Sequence, residues 1–115
     1  MAINYASENL YKAVLYSMTS TESLQERLQG CHSIFHVLSQ KGHLPPELQE
    51  RFDTMVGAMT RMPDVTGRGT VYATTTEMNE LEARKWLEEI LSLFIEVEKI
   101  YEKEGPHKSF EDSVS

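Results

Sequence analysis

Between Ala83 and Tyr101, apolar residues cover more of a helix's circumference than a surface helix needs. One seam at helical spacing is Ala83, Leu87, Ile90, Phe94, Val97 and Tyr101. A second is Trp86, Ile90, Leu93, Val97 and Ile100. Leu91 and Ile95 add apolar surface beyond both, and the polar strip that remains (Lys85, Glu89, Ser92, Glu96, Lys99, Lys103) is narrow. Such a helix has to be covered on most sides. Either it is central in its own bundle or it shares a face with another subunit.

The rest of the chain supplies helices to cover it. Ile3, Ala6, Leu10, Val14 and Met18 form an amphipathic stripe, with Tyr5, Asn9, Lys12 and Tyr16 on the opposite side. Thr19 with Glu22 fits a capping box before a second helix to about Gln40, whose stripe is Leu24, Leu28, Cys31, Phe35 and Leu38. Gly42 closes it, and Pro45-Pro46 restart the chain into a third helix carrying Leu48, Phe52, Met55, Met59 and Met62. Pro63 ends that helix. In the stretch from residue 62 to 79 periodicity does not settle the conformation, because three threonines and Val71 lean toward strand. Asn79 with Glu82 makes an N-cap pair for the last helix, which runs to about Lys103. The expected fold is all-α: a small antiparallel bundle of four main helices with an irregular or short-helical connection before the last. Residues 1–104 form one domain, and a polar, mobile tail occupies 105–115.

Charge and composition narrow the partners. The net charge is −7, and the 11 Lys and Arg are scattered, so phosphate backbones are repelled rather than gathered. Nine of the 18 carboxylates fall between Glu77 and Glu104 against four bases, which leaves an acidic segment of net −5. That segment is a solvated helix face, or a surface for a basic partner. No apolar run approaches the roughly 18 residues of a membrane span, and the single cysteine allows no disulfide within the chain. A cytoplasmic protein without nucleic-acid, membrane or small-molecule partners is the expectation.

Chemistry concentrates in residues 26 to 38, and helix geometry disperses it again. His32 and His36 are four apart and could reach one metal ion, but the glutamate that follows the first histidine in zinc proteases is Ser33 here. Surface histidines, with Gln25 and Gln29 on the same wet stripe, are expected, and no metal or cofactor is called for. Cys31 lies in the apolar stripe and reads as a buried, inert thiol. Arg27-Leu28-Gln29-Gly30-Cys31-His32 resembles the motif of the HEPN ribonucleases, an arginine a few residues before a histidine. That resemblance implies a dimeric helical ribonuclease using Arg27 and His32 across a subunit boundary. It departs from the motif at Leu28, where a polar residue is common, and positions five apart on one helix diverge by about 140°.

No convergent set of catalytic groups appears elsewhere, so the chain reads as a non-enzyme. The expected function is protein–protein interaction, as a homodimeric adaptor or accessory subunit. The alternatives are an acidic inhibitor of a basic partner and the ribonuclease. Contact residues are expected among the outward Tyr5 and Tyr16, Arg68 between its two glycines, and Trp86, Leu91 and Ile95 of the last helix.

Overall fold

The computed structural model describes residues 3–39 and 42–103, and these form an all-α bundle. Helix α1 spans Ile3–Thr19, α2 Leu24–Phe35, α3 Pro46–Met59, α4 Thr70–Glu77 and α5 Glu80–Lys103. The tail expected over 105–115 lies outside the described residues. No described helix is long and apolar enough to cross a membrane.

Local chemistry sets most of the boundaries. The capping box before α2 uses Ser23 and Glu26, one turn beyond the expected Thr19 and Glu22. Ser23 Oγ accepts the Glu26 N–H at 3.1 Å, and Glu26 Oε1 accepts the Ser23 N–H at 3.2 Å. Thr19 is unavailable because it still belongs to α1, its hydroxyl donating to the Leu15 carbonyl at 2.9 Å. Helix α2 stops at Phe35 and tightens into a 3-10 turn over His36–Ser39. Helix α3 stops at Met59 rather than Met62, since Thr60 leaves helical geometry. The Met62 N–H is taken instead by Thr74 Oγ1 at 3.0 Å. Asn79 caps α5 as expected, its Oδ1 accepting the Glu82 N–H at 2.8 Å.

The connection before α5 is short-helical. Gly67 and Gly69 turn the chain at φ of 81° and 99°, and α4 follows at once. Its threonines are helical despite their β preference. Thr75 and Thr76 return their hydroxyl protons to the carbonyls of Val71 and Tyr72 at 2.8 and 2.9 Å. Thr74 and Thr75 are fully buried, so packing decides the conformation over propensity.

α1 and α5 lie side by side and antiparallel, Ser7 meeting Glu98 and Tyr11 meeting Phe94. α2 packs across both of them, and α3 and α4 close the far side. α1 therefore has two neighbours on adjoining flanks, and its buried arc is not the expected stripe. Ser7, Asn9 and Ala13 are buried with Ile3, Ala6 and Leu10, while Met18 is exposed. Small Ala6 and Ala13 let the backbones approach, and Asn9 meets its burial cost by donating to the Tyr5 carbonyl at 3.0 Å. The core gathers Leu28, Cys31 and Phe35 of α2, Phe52, Met55 and Met59 of α3, and Ile90, Leu93 and Val97 of α5. Two bidentate ion pairs tie α3 and the segment after it to α5. Arg51 donates to both oxygens of Glu89 at 2.8 and 3.1 Å, and Arg61 to both oxygens of Glu82 at 2.7 and 3.0 Å.

Candidate protein interface

The α1–α5 pair is covered by α2 on one side only. On the other side the two helices present parallel ridges: Tyr11, Leu15 and Met18 from α1, Leu91 and Ile95 from α5. These five side chains are between 45% and 76% exposed. Between the ridges run two shallow grooves. One of about 260 Å³ is floored by Val14, Leu87 and Leu91 and bordered by Met18 and Arg84. The other, about 280 Å³, runs past Ser7, Tyr11, Phe94 and Glu98. Glu8, Arg84, Glu88 and Glu98 line these grooves beside the apolar residues.

Leu91 and Ile95, expected contact residues, both stand on this face. The other four lie elsewhere. Trp86 is buried within the bundle, with Lys85 Nζ 4.6 Å above its ring. Expected as a contact residue, it packs into this chain's own core, because α5 turns that flank inward. Tyr16 does not point outward: its half-buried ring covers Gly30, where a Cβ would lie 2.3 Å from the ring. Its hydroxyl donates to the Glu22 carboxylate, so the side chain braces the α1–α2 hairpin. Tyr5 is partly exposed, with its ring 4.9 Å from that of His43 on the α2 flank of α1. Arg68 is exposed but occupied within the chain. Its guanidinium lies 4.0 Å over the Tyr72 ring, and Nη1 donates to the Tyr72 hydroxyl at 3.0 Å.

Sequence reasoning missed Tyr11, Leu15 and Met18 as one surface. Their spacing of four and three is a second apolar stripe beside the buried one, and that was the available signal.

The glutamine–histidine stripe of α2 is not wet along its length. Gln25 Nε2 donates to the Met78 carbonyl at 3.0 Å and Gln29 Nε2 to Thr75 Oγ1 at 2.8 Å, because α4 docks there. His32 is half-buried between Phe35 and His36, with ring centroids 6.0 and 6.3 Å away. Burial, and then the neighbouring His36, hold its pKa below the ordinary histidine value. Among the described residues no group of three or more His, Cys, Asp or Glu is placed to hold a metal ion. Arg27 Nε is buried and makes no hydrogen bond. Nothing within one chain joins it to His32, five positions along the same helix. In the acidic segment Glu82, Glu88, Glu89 and Glu96 each have a base within 3.5 Å, so much of that charge is already compensated.

Cys31 is fully buried, and its thiol donates to the Ala13 carbonyl at 3.3 Å. Burial pushes its pKa up from 9.0 to about 12. A folded-state pKa above the unfolded one means stability that is whole below the unfolded value and is lost as pH rises toward the folded value. Urea melts of the native chain and of Cys31→Ala are therefore expected to shift in parallel with pH up to about 9. Above that the native chain alone loses up to about 1.4 kcal/mol of extra stability per pH unit. Parallel behaviour up to pH 11 would contradict the burial of the thiol.

Compared with family models, with curated proteins and with solved structures, this chain matches none.

Proposed function

We propose that this chain acts by binding protein, as an adaptor or accessory subunit, and that the open α1–α5 face is the contact surface. The observation that carries the reading is the position of Tyr11, Leu15, Met18, Leu91 and Ile95 on one side of a helix pair whose other side is packed. Leu15, Leu91 and Ile95 are each 45% exposed, so a docked partner that covers them recovers about half of the roughly 1.5–3 kcal/mol that full burial of such a side chain is worth.

A photo-crosslinking amino acid placed at Leu91 tests the reading in the cells that make the protein. Adducts are expected from Leu91, lost when Ile95→Glu is added, and absent from the same probe at exposed Thr54 on α3. Equal adducts at both positions, or none at Leu91 and Leu15, would refute it.

A further inference from the structure

We infer that the occupant of the open α1–α5 face is a second copy of this chain, docked antiparallel about Leu91, with Arg84 of each copy against Glu98 of the other. This rests on the protein-binding reading above and names its partner.

The charges at the two ends of the face select this arrangement. Arg84, Leu91 and Glu98 are spaced seven residues apart on α5, so they share one stripe with a drift of about 20° per heptad. Arg84 borders one groove, its side chain 67% exposed, and Glu88 four residues on lines the same groove with its carboxylate 3.5 Å away. Glu98 borders the other groove, where the Ser7 hydroxyl donates to it and Glu8, 3.4 Å from Lys12 Nζ, stands alongside. The Leu91 stripe of α5 therefore carries an arginine at one end and a glutamate at the other, with apolar residues between.

A two-fold axis along the helices would bring like ends together, with Glu8 and Glu98 of one copy against Glu98 and Glu8 of the other. That is a like-charge juxtaposition. An axis across the helices reverses the second copy and puts unlike ends together twice, once at each end. Centred on Leu91, it places the two Leu91 side chains on each other and each Arg84 one heptad out, opposite the other copy's Glu98. The same axis crosses α1 near Val14, because α1 and α5 run antiparallel in the register that joins Tyr11 to Phe94. Met18, the most exposed of the five ridge residues, then meets the other copy's Tyr11, a sulfur–aromatic contact. The product is a four-helix interface made from two helices of each copy.

Light scattering and sedimentation on the full chain test the inference. The native chain is expected to be a dimer. Arg84→Glu and Glu98→Lys are each expected to weaken it by about tenfold, since each creates two repulsions at the rim. Mixing the two variants in equal amounts is expected to restore the dimer as a heterodimer, because the exchanged charges then pair across both ends. Far-UV circular dichroism of each variant should match the native chain, which separates lost docking from lost folding. A monomeric native chain, or a mixture no more associated than its components, overturns the inference. If the native chain is monomeric while a Leu91 adduct to a different protein persists, self-docking falls and the protein-binding reading stands. If no adduct of any kind forms at Leu91, both fall.

Discussion

Replacing Phe52 by alanine is expected to cost about 3–5 kcal/mol of folding free energy, a large share of the roughly 5–15 kcal/mol that a domain of this size possesses. Phe52 is fully buried and meets Phe35 edge to face, ring centroids 5.2 Å apart at 72°. Truncation removes the transfer energy of the ring, forfeits the aromatic pair and leaves a cavity between α3 and α2. Helix α3 has no broad second surface to compensate, since it packs far less extensively on α5 than α1 does. Its other tie to α5, the partly exposed Arg51–Glu89 pair, is worth less than a ring. Denaturant melts should show a lower midpoint with an unchanged slope, and Phe52→Leu should lose far less. Equal losses for leucine and alanine would mean that the ring is not packed as described.

Thr74→Val is expected to cost about 1–3 kcal/mol although valine nearly matches threonine in shape. The Thr74 hydroxyl accepts the Met62 N–H at 3.0 Å, and the side chain is fully buried. Valine leaves that backbone donor without a partner, which costs more than the bond itself contributes. Thr74→Ser keeps the acceptor and removes one methyl, so it should be the milder change. Amide exchange at Met62 should quicken in the valine variant only. A serine variant weaker than the valine one would show that the methyl, not the hydroxyl, holds α4 in place.

Both residues mark where the sequence could and could not be read. Phe52 was legible in the four-and-three spacing of α3, because a helix with one buried face announces that face in its own residues. The start of α3 at Pro46 and the cap at Asn79 were legible for the same reason, being set by residues within one turn. Thr74 was not. Its β-leaning neighbours are made helical by α2 and α3, and no local pattern reports a contact made elsewhere. Gln25 and Gln29 misled similarly, since polar residues on a helix flank look wet until α4 takes their amides. The open α1–α5 face was half legible. Leu91 and Ile95 stood out because α5 carries more apolar surface than one bundle can bury. Tyr11, Leu15 and Met18 did not, because the sequence could not tell which of two neighbouring stripes on α1 would be covered.

The open face joins the first helix of the bundle to the last, and this sets when it comes into being. Bringing α1 against α5 closes the longest loop among the described helices, with an entropy cost that grows only slowly with length but falls due late. A chain on the ribosome that has made α1 and α2 can already fold the hairpin braced by Tyr16 on Gly30, since those contacts are local. It presents neither groove until α5 has been synthesised and has docked. If the face docks a partner as proposed, docking is also a check that the bundle is complete, since both grooves need α1 and α5 together.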